Sequence, residues 1–137
     1  MTREGLLQFS ARVISLTLFV SGLVHIGSGL VGLLLVTAAL AIIVLLPPTA
    51  RPADALQPDR LPAVLGPDLL GHLLTGFFIA LPFWTGGETG FSRSGIHVMA
   101  IITWPMAIGG LVLVGVAAGN ASRWIRIEDN ALEVATA

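Results

Sequence analysis

The stretch that decides the fold is ARVISLTLFVSGLVHIGSGLVGLLLVTAALAIIVLLPP, residues 11–48. It is almost wholly apolar, and the main interruption is the run of small and weakly polar residues from His25 to Gly29. As one helix, at about 1.5 Å per residue, it would extend roughly 55 Å, nearly twice a hydrocarbon core of about 30 Å. The stretch therefore predicts two membrane crossings joined by a tight turn, in which Gly27, Ser28 and Gly29 are the small residues that a turn requires.

The composition of the whole chain is that of a membrane protein. Of its 137 residues, 55% are apolar and 11% are charged, whereas soluble domains have about 25% charged residues. A chain of this length holds one bundle, so we expect residues 1–137 to form a single transmembrane domain. We interpret the first apolar segment as a retained crossing and not as a cleaved signal peptide. The lipid bilayer is then the first expected partner.

Four crossings fit the hydrophobic pattern, which predicts an all-α integral membrane bundle of four transmembrane helices. Each segment has about the 17–25 residues that a spanning helix needs. The expected helices cover residues 9–25, 30–46, 67–84 and 97–119. A Pro-rich loop, 47–66, separates the second helix from the third, because its prolines cannot continue a helix and its charges belong in water. The polar tail, 120–137, is expected to form an interfacial strand or a short helix.

The arginines predict the orientation, since positively charged residues are enriched in cytoplasmic loops. With four crossings, one side of the membrane receives Arg93 alone. The other side receives Arg3, Arg12, Arg51, Arg60, Arg123 and Arg126. We therefore expect both termini and the Pro-rich loop to be cytoplasmic. Because every basic residue is Arg, we infer a GC-rich bacterial genome and expect the protein in the inner membrane.

Polar and ionisable residues within the expected crossings are candidate functional residues, because each of them is costly in lipid. Two sets recur at helical spacing, one on the first helix and one on the third. They are Thr17, Ser21 and His25, and Asp68, His72 and Thr75. If the two faces meet, they form a polar stripe that relays protons or passes a small polar solute.

The same residues also have structural interpretations. Ser and Thr in membrane helices commonly bond to the carbonyl one turn back or join two helices. Asp68 fits a capping role after Gly66 and Pro67, near the positive end of its helix. His72 fits a neutral buried histidine that is hydrogen-bonded across helices. The sequence leaves both interpretations open.

A second constellation combines His25 with His97, which are expected at the same face of the membrane. Two imidazoles at equal depth fit the axial ligands of a b-type haem, or part of a metal site with Glu88. The alternative is that both are ordinary interfacial histidines. The chain contains no cysteine, which excludes thiolate ligands, disulfides and cysteine nucleophiles. The sequence itself requires no cofactor.

Small residues predict where helices approach one another closely. Gly115 and Gly119 form a GxxxG pair, Gly32 lies four residues after Ser28, and Gly109 is followed by Gly110. Such pairs let two membrane helices pack with their backbones in contact. They fit packing within this chain and packing against a partner equally well.

Motifs and charge exclude several classes of function. The chain has no phosphate-binding loop, dinucleotide fingerprint, zinc-protease motif or nucleophile elbow, so we do not expect an enzyme. A net charge of −1 gives no basic patch for nucleic acid.

Three hypotheses for the function remain. The leading one is a small non-catalytic subunit of a larger inner-membrane assembly, either a transporter or an electron-transfer complex. The second is a homo-oligomeric small transporter or channel that uses the polar stripe. The third is a haem- or metal-binding redox subunit.

Overall fold

The computed structural model describes residues 3–86, 91–92, 95–96, 98–128 and 131–135, and these residues are mostly helical. The α-helices are α1 (Arg3–Val24), α2 (Leu30–Leu45), α3 (Gly66–Gly86) and α4 (Val98–Ala121). A 3₁₀ turn, Ile26–Ser28, lies between α1 and α2, and a π-helical turn, Arg60–Leu65, leads directly into α3. Two antiparallel hairpins pair β1 (Phe91–Ser92) with β2 (Gly95–Ile96) and β3 (Trp124–Glu128) with β4 (Ala131–Ala135).

Three helical segments are long and apolar enough to cross a membrane. They are α1, the continuous segment Arg60–Thr85, and α4. Helix α2 has 16 residues, which extend about 24 Å and fall short of a hydrocarbon core of about 30 Å. The four expected helices are therefore confirmed, and three of the helical segments are long and apolar enough to cross a membrane; the four-crossing bundle itself stays a prediction.

Two helix boundaries in the structure differ from the expected ones. Helix α1 begins at Arg3 instead of residue 9, because Gln8 and Arg12 find partners inside the bundle and do not need water. The loop predicted over 47–66 ends early, since Arg60–Leu65 is helical and continues into α3. Pro62 is tolerated there because it lies in the first turn, where no backbone donor is needed.

Helices α1 and α2 form an antiparallel pair around a tight turn. Gly29 has φ +65°, a left-handed conformation that favours glycine. A Cβ on Gly32 would lie 2.6 Å from the carbonyl oxygen of His25, so this glycine lets the two backbones touch. Further along the pair, Ser15 Oγ donates a hydrogen bond of 2.8 Å to the carbonyl of Ala39.

Helices α3 and α4 form the second antiparallel pair, and glycine again sets their distance. A Cβ on Gly71 would lie 2.6 Å from the carbonyl oxygen of Gly110, and a Cβ on Gly110 would collide with Thr75. By contrast, a Cβ on Gly115 or Gly119 would meet no described atom within 4 Å. The predicted GxxxG pair therefore lies on an open face of α4, and Gly110 makes the close approach instead.

Helix α1 joins the two pairs by running parallel to α3. The ring of Phe19 and the side chain of Leu23 fill the space above Gly76, where a Cβ would lie 2.7 Å from the Phe19 ring. At the far end, Trp84 Nε1 donates to the carbonyl of Leu23 at 2.9 Å. This parallel contact brings the polar residues of α1 and α3 to the same level of the bundle.

Candidate functional site

A cluster of polar side chains lies buried between α1 and α3. It consists of Gln8, Arg12, Asp68 and His72, which we call the polar cluster. It lies at the end of the bundle where the Pro-rich segment joins α2 to α3, which we call the loop end. Asp68 and His72 are fully buried, and only 3% of Arg12 is exposed. Because α1 and α3 are apolar enough to lie in lipid, charges buried between them must be paired or they become very costly.

An ion pair forms the centre of the polar cluster. Arg12 Nε lies 2.8 Å from Asp68 Oδ2. Arg12 Nη1 donates to Gln8 Oε1 at 2.6 Å, and Gln8 Nε2 donates to the carbonyl of Pro47 at 2.7 Å. The opposite charges of Arg12 and Asp68 cancel, and the chain of bonds ties α1 to α3 and to the segment after α2.

Helical spacing places these side chains on two facing stripes. Gln8, Arg12, Ser15 and Phe19 follow one another at three- or four-residue steps, so they share one face of α1. Asp68, His72 and Thr75 share a face of α3 for the same reason. The parallel packing of the two helices sets Arg12 beside Asp68 and Phe19 beside His72.

His72 is held in one orientation by its own helix. Its Nδ1 lies 2.8 Å from the carbonyl oxygen of Asp68 and 3.3 Å from Asp68 Oδ1. A backbone carbonyl only accepts hydrogen bonds, so we assign the ring hydrogen to Nδ1. Nε2 is buried and has no hydrogen-bond partner among the described residues. The fold therefore gives Nε2 no described group with which to form a hydrogen bond.

A cavity at the loop end leads from the Pro-rich segment to Arg12 of the polar cluster. It has a volume of about 40 Å³ and is lined by Gln8, Arg12, Gln57, Arg60 and Asn120, with aliphatic and proline side chains between them. One water needs at least about 10–15 Å³ of such space, so water can reach Arg12. Neither Asp68 nor His72 lines the cavity, so the ion pair lies between the water and His72.

Apolar packing closes the other side of His72. The rings of Phe19 and His72 meet edge to face with centroids 5.9 Å apart. Thr75, one turn further along α3, donates to the carbonyl of Ala107 on α4 at 3.2 Å. Thr103, further along α4, is buried, and its hydroxyl has no partner within the described part of the chain. The polar cluster is thus open to the cavity at the loop end, and apolar packing separates it from the opposite end of the bundle.

The structure brings together only part of the predicted stripe. Asp68, His72 and Thr75 lie on one buried face of α3. The capping interpretation of Asp68 was wrong, because the helix continues upstream through the π-helical turn and the carboxylate pairs with Arg12.

The residues predicted on α1 do not join that face. Thr17 is exposed and donates to the carbonyl of Val13 at 2.8 Å, one turn back in its own helix. His25 is exposed beside the turn, with Nδ1 2.8 Å from the carbonyl oxygen of Ser21. Ser21 is only half-buried.

The metal or haem site expected at His25 and His97 stays a prediction. His97 and Glu88 lie outside the described residues, so their distance from His25 is not defined. Within the described ranges, no three His, Cys, Asp or Glu side chains come together as metal ligands.

Sequence reasoning missed Gln8, Arg12 and Ser15. Arg12 lies inside the predicted first crossing, although the arginine distribution assigns it only to the cytoplasmic side. Arg12 and Asp68 are opposite charges in two apolar segments, each close to the loop end. That combination was the available signal, since two such charges gain most by pairing.

Comparison with protein-family models, curated proteins and solved structures gives no match for this chain. The fold and the polar cluster define a mostly helical protein with three helices able to cross a membrane and a buried ion pair between two of them. Its function has to be inferred from the geometry of that cluster.

The buried ion pair should contribute to the free energy of unfolding. Asp68→Asn leaves Arg12 buried without a counter-charge, and Arg12→Met does the same to Asp68, so each should cost about 3–5 kcal/mol. The double variant has no net charge in the cluster and should recover a large part of that loss. Denaturant unfolding of the four proteins in detergent micelles measures the coupling. Costs that simply add would show that the two side chains are not coupled.

Proposed function

We propose that this protein is a small membrane-transport component in which His72 binds and releases a proton within the bilayer. The observation that carries the proposal is the buried, unpartnered Nε2 of His72 beside an ion pair that is already neutral. Ionisable residues inside a membrane are the usual positions of proton relays. Histidine is the side chain whose charge changes most readily near neutral pH.

The charges around His72 favour reversible binding of a proton. Arg12 on α1 and Asp68 on α3 are the charged groups that face it, and α4 contains no ionisable residue. With a neutral His72 the polar cluster has no net charge, and one proton on Nε2 makes it +1. A single uncompensated charge in an apolar surrounding is costly. This cost favours release of the bound proton.

The route for the proton begins at the loop end. Water in the cavity reaches Gln8 and Arg12, and the ion pair leads from there to His72. Phe19, Leu23 and Gly76 block the opposite side. Release to that side therefore requires a rearrangement of this layer, or a second subunit, which is either another copy of this chain or a different membrane protein.

The proposal includes the four-crossing topology, with both termini and the loop end in the cytoplasm of a bacterial cell. The arginine distribution supports it, although Arg12 is neutralised by Asp68 and counts less than the five others on that side. The antiparallel pairing of α2 with α1 also supports it, because α2 returns the chain from the turn at Gly29 to the loop end.

A second candidate is a non-catalytic subunit that packs against other membrane helices without handling protons. The observation that favours it is the open glycine face of α4, where a Cβ on Gly109, Gly115 or Gly119 would meet no described atom within 4 Å. Small residues that are unused inside a chain suit the close approach of a partner helix.

The proton-binding role of His72 can be measured directly, because the chain has three histidines. The variant His25→Asn/His97→Asn retains only His72, whose ring nitrogens can then be followed by ¹⁵N NMR in lipid bicelles. We expect the Nδ1–H tautomer at neutral pH and reversible protonation of Nε2 on acidification. In liposomes, His72→Asn should abolish proton flux, and His25→Asn is the matched control.

Two results would remove this proposal. One is a His72 signal that does not change over the pH range in which the protein stays folded. The other is proton flux in the assembled complex that is equal for His72→Asn and the wild type. In either case the packing candidate would take its place.

The topology can be tested with single cysteines, because the chain has none of its own. Gly27 in the turn and Ala53 in the Pro-rich segment are both exposed. In sealed vesicles, an impermeant thiol reagent should label Gly27→Cys and Ala53→Cys from opposite sides. Labelling of both from one side would mean that α2 does not cross.

The packing candidate predicts different behaviour for two glycines of α4. Gly115→Leu should leave the thermal stability of the chain almost unchanged, because a Cβ there meets no described atom within 4 Å and the cavity that Gly115 lines has a volume of about 220 Å³. It should abolish copurification of a membrane partner. Gly110→Leu, the matched control, should destabilise the chain itself by at least about 1–3 kcal/mol, since it overpacks the contact with α3. An unchanged set of copurifying proteins for Gly115→Leu would argue against a partner on this face.

A further inference from the structure

The β3–β4 hairpin exposes a face made entirely of aliphatic side chains. Ile125 lies opposite Val134, and Ile127 lies opposite Leu132. Residues directly opposite in a ladder point to the same side, and every second residue shares it. Leu56 is bridged to Ile125 from the other edge of β3. We call these five side chains the aliphatic face, and they are 44–72% exposed.

Polar contacts fix the position of the hairpin. The backbones of Leu56 and Ile125 exchange hydrogen bonds of 2.8 and 2.9 Å. Arg126 Nε lies 3.1 Å from Asp54 Oδ2, and Arg126 is opposite Glu133 in the ladder. The ends of the Pro-rich segment and of α4 therefore hold the hairpin, while its aliphatic face stays open.

The hairpin is tied closely to the end of a membrane-type helix. Helix α4 has 24 residues and ends at Ala121, and β3 begins at Trp124. Three residue steps extend at most about 10 Å. The polar layer on each side of a bilayer is about 5–8 Å thick. The start of the hairpin therefore stays at or just above the lipid headgroups.

The aliphatic face also borders the end of α4. A cleft between them is lined by Leu56, Ile125 and Val134 on one side and by Asn120 and Arg123 on the other. Arg123 is exposed, so its positive charge is available to lipid phosphates.

We propose that the aliphatic face of the hairpin rests on the lipid surface at the loop end of the bundle. Its side chains would lie at the boundary between headgroups and acyl chains, with Arg123 at the level of the phosphates. Position is the reason for choosing lipid over a protein partner, because the short link to α4 keeps the start of the hairpin at the bilayer surface. The inference depends on α4 being a membrane helix and is independent of the role of His72.

Spin labels on the two faces of the hairpin test this placement. In the full-length protein, Leu132→Cys puts a label on the aliphatic face, and Glu133→Cys puts one on the opposite face as the matched control. The vesicles contain phosphatidylcholine with a minority of phosphatidylglycerol. Collisions with oxygen report lipid, and collisions with a water-soluble nickel complex report water. We expect the ratio of oxygen to nickel collisions to be several-fold higher for Leu132→Cys.

Three results would overturn the proposal. Equal collision ratios on both faces would place the hairpin in water. A label at Leu132→Cys that is shielded from both reagents would show that protein covers the face, either a partner or a second copy. A freely mobile label at Leu132→Cys, and again at Ile127→Cys, would show that the hairpin is not docked.

Discussion

The pairing of Arg12 with Asp68 constrains the whole bundle, because neither charge can remain alone between apolar helices. Removing a charge from water costs several kcal/mol by order of magnitude, and an opposite charge at hydrogen-bond distance is what offsets it. With Arg12 beside Asp68 at 2.8 Å, α1 has to run parallel to α3 in one register. Phe19 then reaches His72 and Gly76, and Gln8 reaches the carbonyl of Pro47.

The same constraint creates the candidate site. Asp68 forms an ion pair with Arg12 through Oδ2, its backbone carbonyl holds Nδ1 of His72, and its Oδ1 lies 3.3 Å from that nitrogen. The fold thus positions an imidazole next to a neutral ion pair and gives its Nε2 no partner among the described residues. One cavity reaches Arg12 from the loop end, and a second one, lined by Arg12, Leu16 and Gly115, lies between α1 and α4.

Helical spacing predicted the part of the site on α3 and did not predict the part on α1. Asp68, His72 and Thr75 share a helical face in the sequence and in the structure. On α1, the polar residues Thr17 and His25 did not predict which face packs against α3. Each bonds to the carbonyl one turn back and needs no partner on a second helix. Within its own helix Arg12 bonds only to Gln8, which provides no counter-charge. The need for a counter-charge therefore decides which face of α1 packs against α3. Charge is therefore a better indicator of helix rotation than hydroxyl groups are.

The sequence by itself determined the local features, which are four apolar helices and the tight turn at Gly29. These depend on hydrophobicity and backbone freedom within a few residues. Only the tertiary structure decided that Gly110 and not Gly115 sets the distance between α3 and α4, and that Arg12 meets Asp68. It also decided that the tail forms a hairpin held by Leu56 and Asp54. Such pairings join residues far apart in the chain, and a local pattern contains no information about the partner that will face it.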